Sequence, residues 1–213
     1  MLETALTAFA NFFVVIDPIG VVPFFLSLTA GLDKENRRRT ALKSVSIAAI
    51  ILLMFTVLGQ PLLHYLGVTL GAFRIASGAL LFLLAIDMVV MKESGIRSTT
   101  AEEEEEAAHR RPDVAVFPLA IPLIAGPGAI ASTILLQTQN NGDLMAQAVT
   151  AGVMVGVLAI TGIGFLAAGP IMTLLGVTGI NVLTRVLGIV LSALAVNNIV
   201  EGLRASFPVL GSV

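Results

Sequence analysis

The residues best suited to chemistry interrupt a long apolar segment near the start of the chain. Asp17, Pro18 and Gly20 lie within the stretch 5–32, which is otherwise long enough to span a membrane. An aspartate at that depth costs roughly 2.5–3.5 kcal/mol, and a proline removes a backbone hydrogen bond. Such a break persists only where protein or a water-filled cavity satisfies the freed groups. The sequence therefore predicts a broken helix built around a site.

Two roles are open for Asp17, and they are compatible with each other. As an N-cap before Pro18, its side chain would hold the start of the second half-helix. Alternatively, it would bind substrate or a proton directly.

A second interruption, Gly126-Pro127-Gly128, lies within the apolar stretch 114–137. Gly126 has no side chain to cap the half-helix that follows, so its free amides and the helix dipole would favour an anion. A substrate carboxylate would fit there, and Asp17 would receive the substrate's ammonium group or a coupling cation. The alternative is a structural kink that allows close helix contact.

Other polar residues in the apolar segments are candidates for lining a polar path or for pairing charges. Asn11 and Ser132 would contribute to substrate binding, or would simply hydrogen-bond between helices. Arg74 and Arg185 would either extend to the membrane surface or face the bundle. The residues assigned to lining or charge pairing are Arg74, Asp87, Arg185, Asn197 and Asn198.

The composition is that of a membrane protein. Of 213 residues, 56% are hydrophobic and only 12% are charged, which is about half the charged fraction of a soluble domain. There is no cysteine, so disulfides and thiolate metal sites are excluded. No basic patch suggests nucleic acid, and the first apolar segment lacks the features of a cleaved signal peptide.

The hydropathy pattern predicts six transmembrane helices. Their approximate ranges are 5–32, 44–63, 70–91, 114–137, 144–168 and 180–203. The basic turn 33–39 follows the first span, and the acidic loop 92–113, with five glutamates from Glu102 to Glu106, follows the third.

The distribution of basic residues predicts the orientation. Nine lysines and arginines flank the first and third connections, and none flanks the second or fourth. By the positive-inside rule, the loops 33–43 and 92–113 are cytoplasmic and both termini are outside, with Arg204 as the one exception.

The two halves of the chain also resemble each other. Pro61-x4-Leu-Gly-Val-Thr recurs as Pro170-x4-Leu-Gly-Val-Thr, and the same offset carries Pro18 onto Pro127. Chance similarity between leucine- and glycine-rich halves is the alternative. A repeat of three spans must be inverted, so the sequence predicts units 1–91 and 114–213 separated by the loop 92–113. Interrupted helices at matching positions of inverted repeats indicate the substrate site of a secondary transporter.

The motifs at the two breaks resemble those of the MarC family of six-span bacterial inner-membrane proteins. The matching residues are Asn11-Phe12-Phe13, Ile16-Asp17-Pro18-Ile19-Gly20, Pro23-Phe24 and Pro122 to Ile130. The resemblance covers nearly the whole chain. It implies kinship with transporters of small neutral amino acids, within a grouping that includes lysine exporters.

Three classes of function remain open from the sequence. The favoured one is a secondary transporter, not an enzyme, that moves a small neutral amino acid by alternating access without a bound cofactor. The second is a channel-like or non-transporting membrane protein. The third, an intramembrane enzyme acting on a lipid-linked substrate, would need converging nucleophile, base or metal-ligand groups that this chain scarcely offers. The sequence leaves the coupling ion, the direction of transport and homo-oligomer formation undetermined.

Overall fold

The described part of the chain folds into helices. The computed structural model describes residues 1–90 and 113–207, and every regular element in these ranges is helical. In chain order the helices are α1 (Leu2–Ile16), α2 (Val22–Leu28), α3 (Lys34–Tyr65), α4 (Leu70–Val90), α5 (Ala115–Ile124), α6 (Pro127–Gln139), α7 (Leu144–Leu166) and α8 (Ala168–Ser206). The segment α5 is irregular and has π-type hydrogen bonding. The glutamate run Glu102–Glu106 and nearly all of the predicted acidic loop lie outside the described residues.

Four of the described helices, α3, α4, α7 and α8, are long and apolar enough to cross a membrane. α5 and α6 meet at a bend of 54° and form either a fifth span or a re-entrant loop. α1 has 15 residues and α2 has 7, so neither alone reaches the roughly 20 residues that a span needs. The fold is therefore an all-helical membrane bundle, and the count of six spans stays a prediction.

The outward faces of the long helices are mainly apolar. Ile50 and Leu58 of α3 are 67% and 52% exposed, and Ile189 of α8 is 61% exposed. Water would solvate such largely apolar faces poorly, whereas lipid chains solvate them well.

One predicted boundary was wrong. The predicted basic turn 33–39 forms the first turns of α3, which begins at Lys34. The predicted sixth span, 180–203, lies within the part of α8 that follows a break at Gly176, where φ is 62°. Hydropathy marks only the part of a helix that lies in lipid. Charged residues with good helix propensity can continue the same helix beyond it.

α4 and α8 pack against each other in antiparallel orientation through reciprocal small residues. A methyl group added at Gly78 would lie 2.7 Å from the carbonyl oxygen of Ala195. One added at Gly188 would lie 3.1 Å from the carbonyl oxygen of Ala85. Small residues at these positions let the two backbones approach closely, which is how helices associate in lipid.

The first break is packed against α7 and α8. Phe25 of α2 and Phe165 of α7 are buried and stack with ring centroids 4.3 Å apart. A methyl group at Gly164 of α7 would lie 3.2 Å from the carbonyl oxygen of Pro18. This packing holds the short helix α2 and the preceding turn in place.

An ion pair joins α3 to the start of α5. The Lys43 ammonium group hydrogen-bonds to the Asp113 carboxylate, and this bond holds the pKa of Asp113 below its usual range. Partial burial opposes the shift, and the backbone N–H of Ala115 reinforces it. Residues 43 and 113 therefore lie at the same end of the bundle.

Candidate functional site at the two helix breaks

Asp17 ends α1 in the left-handed backbone conformation, with φ of 52° and ψ of 66°. Its backbone N–H donates to the carbonyl oxygen of Phe13, so the residue is the C-cap of α1. The prediction of a helix start at Asp17–Pro18 was wrong, because residues 18–21 form a turn and α2 begins only at Val22. Aspartate tolerates the left-handed region better than most residues, since its side chain can bond locally.

The Asp17 carboxyl group is fully buried and connects the turn to α8. Its Oδ1 accepts a hydrogen bond from the Gly20 amide at 3.0 Å, as a capping side chain would. Its Oδ2 accepts one from the Thr184 hydroxyl at 3.3 Å. A methyl group at Gly20 would lie 1.9 Å from Oδ2 and 2.6 Å from the Thr184 hydroxyl oxygen. Only glycine therefore fits at position 20.

The second break separates α5 from α6. Gly126 is the N-cap of α6, has an extended backbone and supplies no side-chain cap, as the sequence predicts. A methyl group there would lie 2.3 Å from the carbonyl oxygen of Pro122. A cavity of about 10 Å³ adjoins the start of α6, with room for about one water molecule. Its lining includes Val15, Leu84 and the residues from Gly126 to Ala129.

The two breaks lie close together because α1 and α6 run antiparallel. A methyl group at Gly128 would lie 3.3 Å from a side-chain carbon of Val15. Toward the other end of the same pair, Thr4 of α1 and Gln139 of α6 line one surface cleft. The contact of Gly128 with Val15 indicates the register of the helices, and the shared cleft agrees with it, since each helix advances by 1.5 Å per residue.

In that register Asn11 and Ser132 lie at the same level of the two helices. Asn11 is 7% exposed and Ser132 is 1% exposed. Asn11 Oδ1 and Ser132 Oγ have no hydrogen-bond partner in the part of the chain that the structure describes. A buried polar atom without a partner costs about 1–3 kcal/mol, so two of them beside the breaks call for an explanation.

The remaining polar candidates separate into two groups. Arg74 lies 3.8 Å from Glu201 across the contact between α4 and α8, and Asn198 is buried. Asp87 is half-buried near the other end of α4. Arg185 and Asn197 are exposed on α8 and do not face the bundle. For Arg185 this agrees with the alternative of extension to the membrane surface, and the lining or charge-pairing role of both residues stays a prediction.

Sequence reasoning missed Thr184 and the pair Gln137 and Gln147. Thr184 stands among apolar residues of α8, and only the fold brings it to Asp17. Gln137 and Gln147 lie on either side of the turn between α6 and α7, and each donates to the other's backbone carbonyl oxygen. The sequence offered one signal for this pair, namely two glutamines ten residues apart on either side of a predicted turn.

No group of three or more histidine, aspartate or glutamate side chains in the described ranges is arranged to hold a metal ion. The site therefore offers hydroxyl, amide and backbone groups together with one buried carboxyl group.

A model of the MarC family of integral membrane proteins matches residues 2–207. The chain belongs to the MarC family. It is 37% identical over 204 residues to the UPF0056 membrane protein YvbG of Bacillus subtilis, covering 96% of each chain. It is 35% identical over 200 residues to the UPF0056 membrane protein YhcE of Escherichia coli, covering 94% of this chain and 92% of the relative.

A UPF0056 membrane protein of the archaeon Methanocaldococcus jannaschii is 35% identical over 205 residues, covering 96% of this chain and 98% of the relative. No solved structure was found to match the chain significantly. This MarC protein is an integral, multi-pass membrane protein, consistent with its apolar helices.

Proposed function

We propose that this MarC protein is a secondary transporter that moves small neutral amino acids across the inner membrane by alternating access. The observation that carries the proposal is the meeting of two helix breaks beside two buried polar atoms without partners. Interrupted helices that meet inside a bundle are the usual site of substrate binding in such transporters.

The chemistry of the breaks suits a zwitterion. The uncapped N-terminal amides of α6 favour the substrate carboxylate, because the positive end of the helix dipole lies there. Asn11 and Ser132 supply a carbonyl oxygen and a hydroxyl group nearly two turns from the breaks. The Asp17 carboxyl group would receive the ammonium group or a coupling ion after a rearrangement, since Gly20 and Thr184 now bond to its oxygens.

The size of the cavity favours a mechanism that includes motion. A cavity of about 10 Å³ accommodates one water molecule and no amino acid. The substrate would enter only when α1 and α6 separate near Val15 and Gly128, where their contact is apolar. The closed arrangement is then the occluded state between the two access states.

In an inverted repeat, exchanging the conformations of the two halves converts the outward-open state into the inward-open state. The packing of α4 on α8 supports such a repeat in this protein. An offset of 110 residues carries Gly78 onto Gly188 and Ala85 onto Ala195. Exchanging the equivalent residues of the two halves therefore turns the contact of Gly78 with Ala195 into the contact of Gly188 with Ala85, and both contacts are present. In addition, α1 packs on α7 as α5 packs on α3. These contacts are those expected of six spans arranged as two inverted halves.

Flux measurements on the purified protein in liposomes test the proposal. Radiolabelled glycine, alanine and serine should enter saturably, and unlabelled amino acid on the opposite side should stimulate exchange. Imposed proton and sodium gradients identify the coupling ion. Flux that does not saturate and shows no exchange would indicate a channel, and absence of flux for all three amino acids would overturn the proposal.

The variant Ser132→Ala tests one residue of the site within that experiment. It removes a buried hydroxyl group that has no partner in the described chain, so thermal stability should be unchanged or slightly raised. The KM should nevertheless rise about three- to ten-fold if the hydroxyl group bonds to substrate. An unchanged KM would remove Ser132 from the site.

A further inference from the structure

A polar cleft opens at one end of the bundle, away from the breaks. It lies between α3, α6 and α7 beside the turn 140–143 and has a volume of about 420 Å³. Cavities of roughly 300–1,000 Å³ are typical of small-molecule sites. Its polar lining consists of Thr56, Gln60, Gln137, Asn141 and Gln147.

The side-chain amides of the cleft have unused hydrogen-bonding capacity. Gln137 and Gln147 donate to each other's backbone carbonyl oxygens at 3.2 and 3.4 Å. Within the described part of the chain, the Oε1 atoms of these two residues and the amides of Gln60 and Asn141 make no hydrogen bond. The cleft therefore presents donors and acceptors together, from four amides on three helices and one turn.

The charge of the cleft restricts the class of ligand. Among the described residues that line it, none is acidic or basic. A solute with a net charge would find no counter-charge there and would lose hydration, whereas a neutral or zwitterionic solute exchanges water for amide hydrogen bonds. The neighbouring cleft between α1, α6 and α7 differs, because it is smaller, about 240 Å³, and contains Glu3.

Polar residues of α6 connect this cleft to the breaks. Gln137 and Thr133 are four residues apart and share a face of the helix, and both are buried. Ser132 follows, and Gly128 lies one turn beyond it at the second break. From Gln137 to Gly128 the distance along the helix axis is about 13 Å.

We propose that this cleft is a binding site for a small neutral polar solute, at which the solute enters or leaves the path along α6. The inference rests on the proposed transport function and adds a second site to it. Gln60 and Gln137 hold the solute by their amides, and Thr133 and Ser132 follow on the way to the breaks.

Cysteine labelling tests the site directly, because the native chain has no cysteine. Gln60→Cys should react with a charged, water-soluble thiol reagent, whereas Ile50→Cys, on the lipid-facing side of the same helix, should not. Alanine, serine or glycine at saturating concentration should slow the reaction of Gln60→Cys at least three-fold, and modification should block flux. Lack of reaction, or a rate unaffected by all three amino acids, would overturn the assignment.

A kinetic comparison separates this inference from the proposed function. Gln60→Leu should raise the KM about three- to ten-fold, while Gln139→Leu, an exposed amide on α6 outside the cleft, should leave it unchanged. Equal KM values in the two variants, with normal flux, would overturn the cleft as a binding site and leave the proposed transport function standing. If amino acids protect Gln60→Cys from the thiol reagent but no flux is measured, the binding site would be retained and the proposed transport function would be overturned.

Discussion

At the scale of single residues, Asp17 combines three constraints. It ends α1 in a left-handed conformation, caps the following turn through Gly20 and binds Thr184 of α8. Its carboxyl group is inaccessible in the closed arrangement, so a structural role is established by geometry and a substrate role stays a prediction. The two roles can be separated by substitution.

Asp17→Ala should lower the free energy of unfolding by about 2–4 kcal/mol, because it leaves the Gly20 amide and the Thr184 hydroxyl unpaired and places alanine in a left-handed conformation. Asp17→Asn keeps an acceptor and suits that conformation, so its loss should be under about 1 kcal/mol. Thr184→Val, which removes one bond, should fall between them. Thermal unfolding in detergent gives the ranking. If Asp17→Asn is stable but inactive, the negative charge is required for transport. If Asp17→Ala is as stable as the native protein, the capping role is refuted.

At the scale of elements, the pairing of α4 with α8 is the most extensive helix contact in the described ranges, and small residues determine its closeness. Gly78 and Gly188 each face backbone of the other helix, whereas Gly152 of α7 has nothing within 4 Å of an added methyl group. Composition alone would give these three glycines the same role, but their surroundings differ.

Gly78→Ala and Gly188→Ala should each lower the free energy of unfolding by about 1–3 kcal/mol, since the helices must move apart. Gly152→Ala should be neutral or slightly stabilising, because alanine favours the helix. Thermal unfolding of the three variants in one detergent provides the comparison. Similar losses at positions 78 and 188 would agree with their equivalent contacts, and a larger loss at position 152 would contradict the packing argument.

At the scale of the whole molecule, the two ends of the bundle are chemically different. The end containing Lys43 and Asp113 carries the basic residues of α3, and the end containing the turn 140–143 carries the amide-lined cleft. About 25 Å of α3 separates Lys43 from Gln60, close to the thickness of the hydrocarbon core. The basic end should face the cytoplasm and the cleft should face outward.

Asn36 and Asn141 are exposed at these opposite ends and serve as reporters. In intact cells, a membrane-impermeant thiol reagent should label Asn141→Cys and leave Asn36→Cys unlabelled until the membrane is opened. The reverse pattern would invert the orientation. It would also place the cleft on the cytoplasmic side without affecting its proposed role as a binding site.

The sequence by itself determined that the chain is a helical membrane protein of the MarC family and located both helix breaks. Aspartate, proline and glycine are costly in an apolar helix, so their presence together marks a break whatever the tertiary packing around it. Hydropathy could not locate helix ends outside lipid, and it could not tell a C-cap from an N-cap at Asp17.

Only the tertiary structure decided which polar residues face one another. It brings Thr184 to Asp17 and Asn11 to the level of Ser132, and it turns Arg185 and Asn197 to the exposed side of α8. These outcomes depend on the register and rotation of packed helices, which are set by side-chain shape at contacts distant in the chain. Adjacent positions such as Asn197 and Asn198 differ little in sequence but point about 100° apart, and packing alone selected the inner one.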